Sequence, residues 1–541
     1  LQHPTTVARE NVQCFDAVSL EKVTILDRQG RPMIHVARID INHDFWSLIF
    51  SKDKKTFGTT LDEATLYKPS VWLVKNPKTG ELNLDAFINR IEELTANPNA
   101  PPGKKDQNIP FVIKQIHLIE GSFRWDDPRE KRMPGNTFDY NHFTLKSING
   151  EAKNFLVLGD TIALNVQNLR TFDKRTNLTV KDLDSKVLYC RTKLELADLH
   201  TRIGNSVIGN YISFNYDAPS AFGDFNEKVF MRARLDSTRV RSEDLGWFAD
   251  YLFTLDETWR VHGGFEGTVN DFRLSNTDLR FGKNSLLRGD IAFKGVTEFE
   301  TSVMDFNLRN TRVDAADLRQ YYPEKSFNDL IQKFGIVDFT GKYNGTIDRF
   351  KLNGEVKTAL GEVNVKALEM NLAAKIPTYT ADINTKDFDL GKLVDDDDFW
   401  QIELNGKISG KGFSVKTASL MLDSRVPRFR YNGYEYRNVY LNGTLQNKFF
   451  KGSVIVKDSN LIADVDGAFD FSKDKYAYHA EGFIQRADLR ALKFVDDSLL
   501  IHTELDVDLE GYTMDEMVGK ANFLNSYATL KKRNIVVDTL L

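Results

Sequence analysis

The stretch NLIADVDGAFDF, residues 460–471, decides how this chain is read. Leu461, Ala463, Val465, Phe469 and Phe471 share one parity, with Gly467 among them. Asp464, Asp466 and Asp470 share the other. A period of two marks an extended strand with one dry face and one wet face. The dry face must lie against something apolar, and what that is bears on fold and function together.

The alternation recurs outward from this point. EVNVKALEMNLAA (362–374) places Val363 and Val365 on one face, then changes phase to Leu368, Met370 and Leu372. SVMDFNLRN (302–310) aligns Met304, Phe306 and Leu308. RVHGGFEGTV (260–269) aligns Val261, Phe265 and Val269, with Gly263 and Gly267 between them. GSVIVKDS, VFMRARLDS and TIALNVQNL read the same way, and FSKDKY, YNGY, SNTD and DDP supply turns. Strands at roughly 10-residue spacing with such turns predict an antiparallel, all-β architecture with a few short helices. The helical signals are NLDAFINRIEEL (83–94), SEDLGWFADYLF (242–253) and AADLRQYYPEKSFNDLIQKFG (315–335), the last divided at Pro323 and stopped at Gly335. TANPNAPPGKKDQN (95–108) is the most linker-like segment. It sets the expected domains as 1–95, a strand module ending in a helix, 96–108, a linker, and 109–541, a repeated segment.

Composition narrows the function classes. The chain has 541 residues, 41% hydrophobic and 28% charged, which leaves ample apolar material for burial. A formal net charge of −5 argues against a broad nucleic-acid footprint. Two cysteines, Cys14 and Cys190, do not make a disulfide framework. No run of about 20 apolar residues and no signal-peptide pattern is present. The opening LQHPTTVARENVQ and the closing IVVDTLL both read as cuts in a longer protein.

The chain also repeats. Five strands run into an Asp-Leu pair: LELADLHTRI, RVRSEDLGWF, RVDAADLRQY, NTKDFDLGKL and FIQRADLRAL. Their aspartates, Asp198, Asp244, Asp317, Asp389 and Asp488, read as helix caps at strand ends. GTVNDFRL (267–274) is echoed by GTIDRFKL (345–352). Internal repetition favours an array over unrelated domains.

In order, the chain carries VSLEKVTILDRQGRPMIHVARIDINHDFWSLIF, ATLYKPSVWLVKNPKTGELNLDAFINRIEEL, IPFVIKQIHLIEGSFRWDDP, RIGNSVIGNYISFNYDAPSAFGDF and then the Asp-Leu repeats. This series resembles the AsmA-like superfamily, most closely its TamB-type translocation and assembly proteins, over essentially the whole chain. The resemblance implies a long, curved antiparallel sheet forming a U-shaped apolar groove. It implies a periplasmic body anchored in the inner membrane and an outer-membrane Omp85-class barrel as partner. Phospholipid acyl chains would be the cargo, with a role in outer-membrane biogenesis. The membrane helix and the barrel-contacting region that the family carries are not in this sequence. On this reading Val261, Phe265, Val269, Met304, Phe306, Leu308, Val363, Val365, Leu461, Ala463, Val465, Phe469 and Phe471 line the groove.

The competing readings are plain. Two sheets packed face to face need the same alternation, and Phe suits a dry core as well as a lipid surface. A scaffold offering sheet edges to nascent barrel strands is the alternative function. A carbohydrate-active or adhesin array fares worst, because no carboxylate pair or aromatic platform stands out. Enzyme motifs (HExxH, GxSxG, a P-loop, CxxC) are absent, so no enzymatic activity, cofactor or metal is expected. His117 and His262 read as strand residues, and DDDDFW (395–400) as a solvated turn without the pattern of a calcium loop.

Overall fold

The computed structural model describes residues 5–6, 9–13, 17–27, 29–42, 60–83, 110–133, 137–247, 250–321, 325–395, 399–412, 419–431, 433–470, 472, 475–511, 516–530 and 533–540. The fold is all-β with a few short helices. Two compact units emerge: Leu1–Gly282 with Ala292–Thr297, and Lys283–Ile291 with Glu298–Leu541.

In the first unit, Ala17–Leu26 pairs with Pro32–Asn42, which pairs in turn with Thr60–Tyr67 and Ser70–Val74. Those last two strands run parallel to Phe111–Asp126. From there the ladder is antiparallel through His142–Leu158, Thr161–Asp173, Thr179–Cys190, Lys193–Ile203, Ser206–Asn215, Phe230–Arg241, Thr258–Gly267 and Asp271–Phe281. The chain therefore does not divide where its composition changes. Residues 96–108 lie outside the described residues, but the strands before and after them pair within one unit. Backbone pairing sets a unit's limits, and a Pro- and Asn-rich segment joins two strands of one sheet as readily as two domains.

The second unit is an antiparallel meander. It runs Val303–Asp314, Ile336–Gly345, Arg349–Thr358, Gly361–Asn371, Thr378–Lys386, Phe399–Lys411 and Ser419–Tyr431. It continues through Tyr434–Gln446, Phe449–Lys457, Leu461–Asp470, Ala477–Asp488, Leu499–Glu510, Val518–Leu530 and Arg533–Leu540. Each strand pairs with the one before it, most of them through short turns and some across longer links that hold the short helices, as between Val303–Asp314 and Ile336–Gly345.

Phase changes in the sequence are β-bulges. In Gly361–Asn371 the register slips between Val365 and Leu368, so the apolar residues on both sides of the slip keep one face. Elsewhere the extra residue has positive φ: Ser237 (φ 56), Asn276 (φ 49), Asn310 (φ 48) and Asn525 (φ 50). Each sits at a register shift. Asn tolerates the left-handed region better than most residues, which suits it to these positions.

The Asp-Leu aspartates do not share one role. Asp198 is not a cap: it is the bulge residue of Lys193–Ile203, with φ 50, and its exposed carboxylate meets Lys186 at 2.8 Å. Asp244 and Asp317 sit inside short helical turns, Ser242–Leu245 and Ala315–Leu318, and reach back to an earlier hairpin instead of capping. Asp244 accepts from Asn205 N (2.9 Å) and Ser206 Oγ (2.6 Å). Asp317 accepts from Lys283 N (2.9 Å), Asn284 N (3.0 Å) and Ser285 Oγ (2.8 Å). In both, the serine hydroxyl also accepts from the backbone three residues before the aspartate, Arg241 N or Asp314 N. The N-cap of Ala315–Leu318 is Asp314, which accepts from Ala316 N. Asp389 caps Leu390–Val394 through Lys392 N at 3.0 Å. Asp488 accepts from Ala491 N at 3.1 Å in the turn that follows its strand.

The segment expected to be helical over 242–253 holds Ser242–Leu245 and Asp250–Thr254, and that expected over 315–335 holds Ala315–Leu318 and Lys325–Phe334, with Gly335 (φ 59) after the last. The helix expected over 83–94 lies, beyond Asn83, outside the described residues. So does Cys14, while Cys190 is a free thiol.

Candidate functional site

Within each unit the register collects the apolar parity of many successive strands onto one face. In the second unit, Phe306 stands opposite Tyr343, and the row continues through Leu352, Leu368, Ala381, Ile408 and Leu422. A parallel row begins at Met304 and runs through Gly345, Phe350, Met370 and Tyr379. Further along it contains Leu445, Phe450, Phe469, Tyr478 and Leu509. In the first unit, Leu164, Val187, Leu196, Ile212, Ala233, Phe265 and Leu274 form one such row. Aromatic rings bind neighbouring strands along these rows: Phe306–Tyr343 at 5.7 Å, Tyr343–Phe350 at 5.1 Å, Phe265–Phe272 at 5.0 Å, Phe450–Phe469 at 6.1 Å. Burial pushes the phenols of Tyr343 and Tyr379 above their ordinary pKa, the effect of an apolar surrounding on a group that would charge.

The opposite face is polar and pairs opposite charges across strands. Arg312 meets Asp338 at 2.7 Å, Lys351 meets Glu369 at 2.7 Å, and Lys357 meets Glu362 at 3.2 Å.

Among the described residues, no second protein layer encloses the apolar side of Arg349–Thr358 in the second unit. Along Arg349–Thr358, exposed and partly buried residues alternate strictly, and none is fully buried. In a face-to-face sandwich the inward five would be enclosed by the facing sheet. Apolar side chains bury one another fully only in places, as where Val426, Val439 and Val456 stand side by side. The short helical segment Pro219–Asp224 covers one such place, packing Ala221 and Phe222 on Tyr216, Val229 and Phe214.

The predicted lining residues fall as follows. Met304 and Leu308 are buried, Phe306 is partly buried, and all three share the apolar face of Val303–Asp314. Val363 and Val365 lie on that face of Gly361–Asn371, Val365 buried. Leu461, Val465 and Phe469 are partly buried and Ala463 is buried in Leu461–Asp470. Val261 and Phe265 share a face of Thr258–Gly267. Val269 does not belong with them: it lies in the turn after Gly267, where Thr268 and Asp271 close the hairpin through two hydrogen bonds. Phe471 lies outside the described residues. Residues the sequence reading passed over include Phe350, Leu352 and Val356, although RFKLNGEVKT (349–358) alternates as cleanly as any segment.

A second feature could not be read from the sequence. The first unit holds a cleft of about 810 Å³ beside a buried ion pair, Lys75 Nζ to Asp127 Oδ2 at 3.0 Å, each side chain 1% exposed. Arg129 adds two hydrogen bonds to Asp127, at 3.0 and 2.9 Å. The Arg129 guanidinium above all, with Lys75 adding to it against the cost of burial, holds the Asp127 carboxyl well below the usual carboxylate range. Acidic groups (Glu81, Glu130, Asp217, Asp224) and basic ones (Arg191, Lys228) both line the cleft, so its charge selects neither anion nor cation. The pair ties the end of Ser70–Val74 to the end of Phe111–Asp126, and no local pattern announces a partner so far along the chain. Among the described residues, no group of three or more His, Cys, Asp or Glu is placed to hold a metal ion, and no helix is long and apolar enough to cross a membrane.

Comparison with known proteins finds no matching family model, no matching curated protein and no matching solved structure.

Proposed function

We propose that this chain is a lipid-binding conduit in which phospholipid acyl chains lie along the apolar sheet face. One observation carries the reading: in each unit, apolar rows run from strand to strand while their side chains stay only partly buried by protein. Soluble proteins rarely leave contiguous apolar patches beyond a few hundred Å² without an occupant. An acyl chain fits such a row because it needs no hydrogen bond and gains about 0.8 kcal/mol per buried methylene. The resemblance set out above supplies the setting that goes with this reading: the periplasm, an inner-membrane anchor, an Omp85-class barrel at the outer membrane, and delivery of phospholipid to that membrane.

The test is the double variant Val465→Asp with Phe469→Asp. Both residues stand partly buried on the proposed lipid face, and Phe469 touches Phe450 and Tyr478 across its two neighbouring strands. On an open face, water reaches the new carboxylates. The melting temperature then stays within a few degrees of the parent, and lipid co-purifying with the protein, read by mass spectrometry, is lost. Folded protein that retains its lipid ends the proposal. A variant that unfolds points instead to an enclosed core, where an unpaired carboxylate costs several kcal/mol.

A further inference from the structure

On the polar face many cross-strand pairs set opposite charges against each other. In the first unit Arg232 faces Glu266 across strands at 2.9 Å, and Arg202 meets Asp182. Like charges also meet: in the second unit Arg428 stands opposite Arg437, and Asp466, Glu481 and Asp506 stand in line on three strands; in the first unit the like-charged line is made of arginines. Arg239 stands directly opposite Arg260, and Arg260 stands directly opposite Arg280, on three consecutive strands. All three are exposed. Like charges directly opposite one another destabilise a sheet. Nothing nearby neutralises them fully. Arg280 meets Asp278 at 3.1 Å. Among the described residues, Arg239 and Arg260 have no carboxylate within ion-pair distance. Asp236, the next acid along, is engaged by His262 at 2.9 Å and by Asn210 at 2.7 Å. Three arginines against Asp278 leave two uncompensated positive charges, with His262 beside them on the same face. A shallow cleft of about 670 Å³ runs over this group.

We propose that Arg239, Arg260 and Arg280 form a binding site for a phosphate group. The strands are about 4.8 Å apart, so long side chains rooted on three of them can converge on one tetrahedral oxyanion. Each guanidinium offers a planar fork of donors that matches two oxygens, which a lysine would not. A bound dianion turns three mutually repelling groups into a compensated cluster. The site lies on the face opposite the apolar rows, so it is a separate site from the one proposed for acyl chains. Its phosphate comes either free in solution or on a lipid headgroup.

The experiment uses the whole chain at low ionic strength, where exposed charges are least screened. Inorganic phosphate is titrated by calorimetry. In parallel, the protein is floated with phosphatidylcholine vesicles made with and without phosphatidic acid, whose headgroup is a phosphomonoester. Arg260→Gln and, separately, Arg239→Gln are compared with the parent and with Lys451→Gln, which removes an exposed charge from the second unit. Saturable phosphate binding that weakens about tenfold or more in both arginine variants and not in Lys451→Gln establishes the site for free phosphate. Flotation that needs phosphatidic acid and falls in the same two variants, without binding of free phosphate, establishes it for a headgroup. The proposal is overturned if neither probe binds, if Arg260→Gln and Arg239→Gln bind as the parent does, or if Lys451→Gln weakens binding as much as they do.

Discussion

Asp317 shows how a residue's role is set by what folds back onto it. Burial alone would raise its carboxyl pKa, but the backbone donors of Lys283 and Asn284 and the Ser285 hydroxyl outweigh burial and bring it below the ordinary value. A carboxyl with a depressed folded-state pKa contributes stability that is complete above the unfolded value, about 3.9 for Asp. That contribution is lost as pH falls through the lower folded value. The Lys283 and Asn284 amides should therefore keep their hydrogen-exchange protection from neutral pH down to about pH 4 and lose it in stronger acid. Asp317→Ala should abolish that protection at neutral pH and cost about 2 kcal/mol, because it orphans two backbone donors and a hydroxyl. Unchanged exchange in the variant would mean that the hairpin holds itself. The Asp-Leu repeat was visible in the sequence, and the role of two of its aspartates, Asp244 and Asp317, as hairpin clamps was not. The cue that accompanies it is an Asn-Ser pair at 205–206 and again at 284–285, lying 38 and 32 residues before the aspartate. Gly204 completes the first clamp: with φ +57, it places a would-be Cβ 1.8 Å from Asp244 Oδ1, so only glycine fits.

At the scale of the element, bulges keep the two faces of each strand distinct. Asn310 has φ 48 between Leu308 and Thr311, and its N–H donates to Thr340 Oγ1 at 3.0 Å. Without the extra residue, Thr311 and Val313 would turn to the polar face, since a one-residue slip exchanges the faces. Asn310→Gly should leave stability nearly unchanged. Asn310→Val should cost about 1–2 kcal/mol, because a β-branched side chain is strained in the left-handed region. Urea midpoints of the two variants check this, and equal midpoints would refute it. The phase change in EVNVKALEMNLAA was legible for the same reason that the strands were: parity is a local property of the pleat. Bulges such as Ser237 and Asn276 were hidden, because a single polar residue in a polar-facing slot leaves no mark on the pattern.

At the scale of the whole chain, each unit is an array in which a strand packs mainly against the strands that hydrogen-bond to it. Stability in such an array is a sum of neighbour terms, and damage should stay local. Gly354 gives a test within the second unit. Its φ is +145, and an added Cβ would stand 2.3 Å from Thr340 O and 2.7 Å from Gly341 Cα on the adjacent strand. Gly354→Val should strip hydrogen-exchange protection from Ile336–Gly345, Arg349–Thr358 and Gly361–Asn371 while leaving Ala477–Asp488 and Leu499–Glu510 as they were. Uniform loss across the unit would mean a single cooperative core in place of an array.

Alternation alone determined that this chain is built of strands, which residues share a face, and that the aspartates of 460–471 lie opposite its aliphatic and aromatic residues. Those properties follow from the two-residue period of the backbone and need no knowledge of distant partners. Only the tertiary structure decided that the apolar side of Arg349–Thr358 stays only partly buried among the described residues, that Asp244 and Asp317 clamp hairpins, that Lys75 meets Asp127, and that Arg239, Arg260 and Arg280 fall into one cross-strand line. Each of these depends on register, and register is the running sum of turn lengths and bulges along the chain. A shift of one residue anywhere in that sum changes which side chains meet, while the local pattern stays the same.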